Sequence, residues 1–279
     1  MKTTISFLLS LLLITGGKDD LFSTKNLESR MIKVEEGLYA NKYETTNAEY
    51  REFLEWAKVN RSDILETLKV NHKGWDDFLG AEYSPQYFSN KGLANNPVVN
   101  ISHDAALEFC EWLTQQYNDD TSKRKKFAKV KFRLPTEEEW LNMAYNGRKV
   151  IVFPWGTPYM RDRDGNFMAQ FRRYANANIK SPVYNPKEVE IVRKEESRSD
   201  MLSAGAIITA PVTGYKPTGA GFYHLSGNAA EMLAEKGRTK GGSWASSGYY
   251  LRIDAEDQFE GFTTSPFVGF RYVMEVIEE

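Results

Sequence analysis

The sequence predicts an α+β fold in a single irregular domain, with few helices in the first half and short strands joined by long loops in the second. Three segments of the first half combine helical spacing of apolar residues with an N-terminal capping residue. The second half is rich in glycine, proline, asparagine and aromatic residues, with only short strand-like runs. No internal repeat or Gly/Ser linker divides the chain. We therefore expect one domain.

Composition and charge are those of an ordinary globular protein. The chain has 279 residues, of which 41% are hydrophobic and 27% charged, enough to bury a sizeable core. Its net charge of -2 provides no long-range attraction to nucleic acid or to anionic lipid. We therefore expect no nucleic-acid partner. The local basic run at residues 123–129 is interpreted as a solvated surface.

Residues 1–17 have the pattern of a secretory signal peptide. Lys2 precedes an apolar run at residues 5–14, and small residues at 15–17 lead into a polar segment. The run is shorter than a bilayer-spanning helix requires. The alternative is a buried N-terminal helix. The pattern favours export.

Residues 13–16 (LITG) are what precedes the lipidated cysteine of a bacterial lipoprotein signal, but the next residue is Gly17. Glycine has no thiol to acylate. Membrane association through a lipid anchor is therefore not permitted by this residue, and whether Gly17 replaces a lipidated cysteine stays open.

Three helices are predicted after a polar N-terminal segment at residues 18–36, which we expect to be loosely held over residues 20–30. The first covers residues 47–59 behind Thr46, the second begins after Ser102, and the third follows Thr136. In the first and third, a glutamate three residues after the cap completes a capping box. The second helix carries the one cysteine, Cys110, in an apolar periodic stretch, which predicts a small buried side chain.

The domain is expected to cover residues 37–279, with short strands in its second half. Strand-like runs occur at residues 206–208, 249–253 and 270–276. The charged stretch at residues 187–200 is interpreted as a surface insertion.

A series of motifs runs through the chain in a fixed order. They are residues 43–47 (YETTN), 96–102 (NPVVNIS), 132–140 (FRLPTEEEW), 153–156 (FPWG), 221–223 (GFY), 227–231 (GNAAE), 240–244 (KGGSW) and 269–271 (GFR). The series resembles the formylglycine-generating enzyme family, also called sulfatase-modifying factors, over nearly the whole mature chain. The resemblance implies that family's fold, an irregular α+β arrangement related to C-type lectins.

The motif residues themselves indicate structural roles. Arg133 enters a tight Leu-Pro turn, where a guanidinium can hold carbonyl groups or a carboxylate at a helix start. Trp140, Trp155 and Trp244 are large enough to anchor loops that lack regular hydrogen bonding.

The resemblance implies an enzyme that oxidises a substrate cysteine to formylglycine with oxygen and with copper held by two cysteine thiolates. In the family's register those cysteines correspond to Ser246 and Leu251, give or take a residue or two, and no cysteine follows Trp244. A hydroxyl and an isobutyl group cannot replace two soft thiolate ligands of copper(I). We therefore expect neither copper nor formylglycine formation, and assign no catalytic residue.

Calcium is left open by the resemblance. Family members can bind it near the Gly-Asn-x-x-Glu segment through backbone carbonyls and a carboxylate, ligands that suit a hard cation. Here His224 stands where Asn or Asp usually adds an oxygen, and the companion segment is either residues 169–171 or residues 177–179. The tentative calcium residues are Gly227, Ala229 and Glu231.

Two other metal patterns are not supported by the residues. Iron-dependent branches of the family take three histidines from an accompanying domain, whereas His72, His103 and His224 lie in unrelated segments without ligand spacing. Residues 161–166 (RDRDGN) lack the spaced closing glutamate of a calcium loop and predict a turn.

The favoured hypothesis is an exported non-catalytic module in envelope protein assembly, gliding or secretion. Residues 87–89, 165–167 and 266–271 resemble a cysteine-less subgroup of bacterial gliding-motility and secretion-associated lipoproteins. That resemblance implies a periplasmic or outer-membrane-associated location in a bacterial envelope, with envelope proteins as partners.

Two alternatives remain. The first is an enzyme that uses a different polar site in the same groove, with Arg252, Asp254 and Glu256 as candidates beside Asp257; these charges also fit the outward face of a strand. The second is a glycan or peptide binding module that uses the aromatic pair Tyr249 and Tyr250.

Overall fold

The computed structural model describes residues 21–121, 125–148, 150–172 and 208–279. The predicted signal peptide, the charged insertion at residues 187–200 and the segment 177–179 lie outside the described residues. So do parts of the basic run and most of the strand-like run at residues 206–208. Within the described ranges, no helix is both long and apolar enough to cross a membrane.

Helices dominate the first half of the described chain and strands are short, as predicted. The α-helices are α1 (Thr24–Ser29), α2 (Asn47–Asn60), α3 (Leu65–Leu68), α4 (Asp76–Leu79), α5 (Gln86–Ser89), α6 (His103–Asp119) and α7 (Glu137–Tyr145). The strands are β1 (Met31–Glu35), β2 (Leu38–Asn41), β3 (Lys129–Arg133), β4 (Ala230–Met232), β5 (Thr239–Lys240), β6 (Val268–Gly269) and β7 (Val273–Glu278).

The strands form two small sheets. The larger is antiparallel in the order β1-β2-β7-β3, and the smaller has the order β5-β4-β6 with β4 and β6 parallel. Side chains alternate across β7: Met274 packs with α2 and α6 on one face, and Val273 packs with α7 on the other. The larger sheet therefore separates two apolar clusters.

The three helices predicted from caps are confirmed. Thr46 accepts a hydrogen bond from the Glu49 N–H, and the Glu49 carboxylate accepts one from the Thr46 N–H, which completes the capping box of α2. Thr136 and Glu139 do the same for α7, which ends at the left-handed Asn146. Cys110 is buried in α6, as expected.

The aromatic anchors and Arg133 take the roles that the motifs indicated. Trp140 and Trp244 are fully buried, and the Trp244 indole N–H donates to the Pro266 carbonyl at 2.9 Å. Trp155 stacks on Phe153 with ring centroids 4.6 Å apart. Arg133 binds both carboxylate oxygens of Glu139, at 2.8 and 2.7 Å, beside the start of α7.

The N-terminal segment corrects one prediction. Residues 20–30 were expected to be loosely held, but α1 packs against the domain with Leu27 fully buried, and the Phe22 ring lies 4.6 Å from the Trp112 ring. Strand β1 is an edge of the larger sheet, so a boundary at residue 37 is too late. One helical turn is marginal by itself, and tertiary packing stabilises it where local sequence cannot.

Two strand predictions also change. Residues 249–253 do not form a strand: a 3-10 turn covers Gly248–Leu251, because buried Leu251 anchors one end while Tyr249 stays half exposed. The run at residues 270–276 enters the sheet only at Val273, since Arg271 is taken up by a buried ion pair.

Candidate functional site

The first of the two family cysteine positions is occupied by a structural serine. Ser246 is fully buried, and its hydroxyl accepts a hydrogen bond from the Ser243 N–H at 2.8 Å and donates to the Gln258 side chain. The Ser246 N–H closes the same turn on the Ser243 carbonyl at 3.0 Å. No histidine or other base is among these partners, so the hydroxyl stabilises a turn and is not set up as a nucleophile.

The second family cysteine position is occupied by a buried apolar side chain. Leu251 is fully buried in a cluster with Phe153, Ala169 and Phe171. Its carbonyl accepts a hydrogen bond from the Ser226 hydroxyl at 2.7 Å. Neither position therefore presents an accessible side chain or a metal ligand.

The two glycines of the KGGSW motif allow carbonyl groups of neighbouring loops to lie close to the backbone of this motif. A Cβ on Gly241 would lie 2.8 Å from the Leu225 carbonyl oxygen, and one on Gly242 would lie 2.7 Å from the Tyr250 carbonyl oxygen. Both residues have positive φ, which favours glycine.

The groove candidates do not assemble into a polar site. Arg252 and Asp254 bind each other through two hydrogen bonds of 2.9 and 2.7 Å at the surface, and this contact raises the pKa of Arg252 and lowers that of Asp254. Glu256 is exposed. Asp257 turns inward and accepts hydrogen bonds from the N–H and hydroxyl of Thr239.

The tentative calcium residue Glu231 belongs to a buried ion pair. Glu231 and Arg271 are both fully buried, with Nη2 of Arg271 2.6 Å from Oε1 of Glu231. The Trp140 indole N–H donates to Oε2 of Glu231 at 2.9 Å. Arg271 also donates to the carbonyls of Asn41 and Tyr223, at 2.8 and 2.6 Å, so the pair connects parts of the chain that are distant in sequence.

A second buried carboxylate holds the loop that contains Gly227 and Ala229. Oε1 of Glu44 accepts the Ala229 N–H at 2.9 Å, and Oε2 accepts the Asn228 side-chain amide at 2.6 Å. Burial and the nearby Glu231 carboxylate raise the pKa of Glu44 well above its ordinary value. The Glu44 side chain thus ties this loop to the segment that precedes α2.

These contacts do not fit calcium. Both oxygens of Glu231 are already bonded, and a cation at this carboxylate would lie beside the Arg271 guanidinium. His224 faces the Pro211 carbonyl, and burial lowers its pKa to about 4. The side chain of Gln170, in the companion segment, is bonded to Ile208 and Tyr215. Glu231 therefore fits a structural ion pair better than a calcium site, and the calcium assignment of Gly227, Ala229 and Glu231 stays a prediction.

Copper and iron have no better ligand set in the described chain. Across the described ranges, no group of three or more His, Cys, Asp or Glu side chains is placed to hold a metal ion. Copper would need two thiolates, whereas Cys110 is a single buried thiol whose pKa is raised by burial.

Sequence reasoning missed the partners that define this region. The motifs YETTN and GFR contain Glu44 and Arg271, each a charged residue within an otherwise apolar or uncharged stretch. A charged residue inside an uncharged motif is the sequence signal that could have suggested a buried side chain with a polar partner. Their partners lie too far along the chain for spacing to reveal them.

Comparisons with known proteins agree with this architecture. A family model described as "Sulfatase-modifying factor enzyme 1-like domain" matches residues 8–276. The formylglycine-generating enzyme of Mus musculus is 24% identical over 245 residues, which cover 79% of this chain and 55% of that protein. "Inactive C-alpha-formylglycine-generating enzyme 2" of Bos taurus is 27% identical over 141 residues, covering 50% of this chain and 33% of that protein.

The chain spans about half, or less, of the length of these curated relatives. Among solved structures, PvdO from Pseudomonas aeruginosa has a TM-score of 0.50 and 14% identity, covering 86% of this chain and 80% of that one. That likeness supports the fold alone.

Proposed function

The chain belongs to the sulfatase-modifying factor enzyme 1-like family, and from this premise we propose that it is a non-catalytic member. We propose further that it is exported and acts as a binding module in envelope protein assembly, gliding or secretion. The observation that carries the proposal is the closure of both family cysteine positions, because Ser246 is hydrogen-bonded inside a turn and Leu251 is packed in an apolar cluster.

The chemistry argues against formylglycine formation. Oxidising a thiol with oxygen at a copper centre requires soft ligands that hold the metal. A buried hydroxyl and a buried isobutyl group supply none, and both are bonded or packed to other parts of the chain. One relative is described as inactive by its name, which supports the idea that this fold can persist without the reaction.

An alternative enzyme at Arg252 and Asp254 is less well supported. General acid-base catalysis needs a group whose pKa is shifted towards the working pH and whose proton can reach a substrate. Here the two groups neutralise each other at the surface, and their mutual contact moves both pKa values away from neutrality.

The envelope role rests on two supports. One is the signal-like pattern at residues 1–17, and the other is the resemblance to a cysteine-less, secretion-associated subgroup. A scaffold whose loops are held by a buried ion pair and a buried, hydrogen-bonded carboxyl group is suited to present a fixed binding surface.

The catalytic part is tested with the purified full chain, loaded with copper(I) and incubated with a cysteine peptide, oxygen and a thiol reductant that supplies the two further electrons needed to reduce oxygen to water. The mouse relative serves as the positive control. We expect the peptide mass to remain unchanged with this chain under conditions in which the mouse enzyme converts it. Conversion by this chain would refute the non-catalytic assignment.

The envelope part is tested by affinity purification from the gently solubilised envelope of the native host. The tagged chain is compared with an unrelated exported protein that carries the same leader and tag. We expect envelope proteins in fixed stoichiometry with the tagged chain only. Recovery of a lone monomer, or of the same proteins with the control, would contradict the assembly role.

A further inference from the structure

An open groove lies between the turn at residues 161–168 and the loop at residues 213–217. Its volume is about 780 Å³, within the range of small-molecule sites. Its lining includes three aromatic residues, Phe167, Tyr215 and Tyr223, and three charged residues, Arg161, Asp162 and Lys216. We name it the Arg161 groove. None of its lining side chains belongs to the family cysteine positions or to the Glu231–Arg271 ion pair, although the backbone carbonyl of Tyr223 accepts a hydrogen bond from Arg271.

The two walls of the groove are joined to each other. Nζ of Lys216 lies 2.9 Å from Oδ2 of Asp162, so an ion pair connects the loop to the turn. Oδ1 of Asp162 accepts the N–H groups of Asp164 and Asn166 at 3.0 and 2.9 Å, which gives the turn predicted for this segment. The Lys216 ammonium and these N–H groups lower the pKa of Asp162 to about 2. The ion pair links the two walls of the groove and neutralises its carboxylate.

Arg161 is left as the main charge of the groove. Its guanidinium lies 3.7 Å from the centroid of the Phe167 ring, and Nη1 donates to the Gly165 carbonyl at 2.5 Å. Stacking fixes the plane of the guanidinium while the side chain remains exposed. A planar guanidinium held in this way is suited to bind a carboxylate through two parallel hydrogen bonds.

The aromatic side of the groove is also fixed. Tyr223 packs on Tyr43 with ring centroids 5.1 Å apart. Tyr215 packs edge-on against His224 at 5.5 Å, and its hydroxyl donates to Gln170 at 2.7 Å. Rings of this kind offer an apolar face to the C–H groups of a sugar. The amide of Asn166 and the hydroxyl of Thr213 also line the groove and can pair with sugar hydroxyls.

We infer that the Arg161 groove binds a saccharide that bears a carboxylate, such as a uronic-acid oligosaccharide. Arg161 holds the carboxylate, and Tyr215 and Tyr223 contact the sugar rings. An acidic peptide would be bound through the arginine alone. The aromatic rings and the neighbouring amide and hydroxyl groups of the groove instead match the C–H face and the hydroxyl groups of a sugar ring. The site goes beyond the proposed function, because it assigns a ligand that the assembly role does not require.

The test is calorimetric titration of the full chain with an oligogalacturonate. Arg161→Gln removes the cation, and Arg51→Gln is the matched control, since the Arg51 guanidinium also lies over an aromatic ring, 5.7 Å from the centroid of Phe88, and also donates to a backbone carbonyl. We expect Arg161→Gln to weaken binding by roughly tenfold or more, because a charge-assisted bidentate contact is lost. Arg51→Gln should bind as the unaltered chain does. A thermal melt of each variant confirms that it is folded.

Two further ligands separate charge from sugar recognition. A neutral oligosaccharide of equal length should bind much more weakly than the oligogalacturonate, and so should an oligoglutamate of equal charge. Absence of oligogalacturonate binding at millimolar concentration overturns the inference. Equal affinity of the two arginine variants, or equal affinity for oligoglutamate, overturns it as well. If Arg161→Gln is unfolded, Arg161→Lys takes its place, with reduced affinity expected because the planar fork is lost.

Discussion

Replacing Glu231 with glutamine tests the central structural claim about the GNAAE segment. Both members of the Glu231–Arg271 pair are fully buried, and the shortest contact between them is 2.6 Å. The change keeps the size of the side chain but removes the only carboxylate that contacts the Arg271 guanidinium among the described residues. Removing one partner of such a pair costs about 3–5 kcal/mol. That is a large share of the roughly 5–15 kcal/mol by which domains are stable.

The measurement is urea unfolding followed by circular dichroism, with Glu55→Gln as the matched control. Glu55 pairs with Lys58 at the surface of α2, where both side chains are more than half exposed, and such pairs contribute at most about 1 kcal/mol. We expect Glu231→Gln to lower the free energy of unfolding by several times the loss in Glu55→Gln. A double change of Glu231 and Arg271 to apolar residues of similar size should cost less than Glu231→Gln alone, because no unpaired charge remains.

Equal, small losses in Glu231→Gln and Glu55→Gln would refute this reasoning. They would mean that Arg271 is adequately satisfied by the Asn41 and Tyr223 carbonyls.

The remaining predictions concern calcium, pH and backbone strain. Adding calcium or a chelator should leave the melting temperature unchanged, because Glu231 is occupied by Arg271; a rise with calcium would restore the metal assignment. The raised pKa of Glu44 means that the folded state binds its proton more tightly than the unfolded chain does. Its contribution to stability is therefore fully present below the ordinary carboxyl pKa and declines as pH rises towards the folded value. Glu44→Gln should flatten this decline in unfolding titrations at a series of pH values above about 5; an unchanged slope would contradict it. Gly242→Ala should destabilise the chain by about 1–3 kcal/mol, since its Cβ would meet the Tyr250 carbonyl at 2.7 Å with φ at +66°. Gly37→Ala has φ at +72° and nothing within 4 Å, so it should cost less in the same denaturation assay; equal costs would refute the steric argument.

Features that depend on residues close together in the chain could be predicted from the sequence. The capping boxes at Thr46 and Thr136 involve partners three residues away, and both helices begin where these signals place them. The motif order identified the family, and loss of the cysteines could be seen by inspection. The buried environment of Ser246 and Leu251 could not be predicted from the sequence, because it depends on contacts with Gln258 and with the cluster around Phe153.

What only the tertiary structure decided involves contacts across long stretches of chain. Helix α1 has too few residues to be stable by itself, and the packing of Leu27 and Phe22 makes it part of the domain. Glu44 meets Ala229 across 185 positions, and Arg271 meets Glu231 across 40. The spacing of residues along the chain does not indicate which distant charged residues will be buried next to each other. The sequence by itself therefore determined the three capped helices, the family and the absence of a cysteine after Trp244, whereas folding decided that Glu231 pairs with Arg271 and that Arg161 faces an open groove.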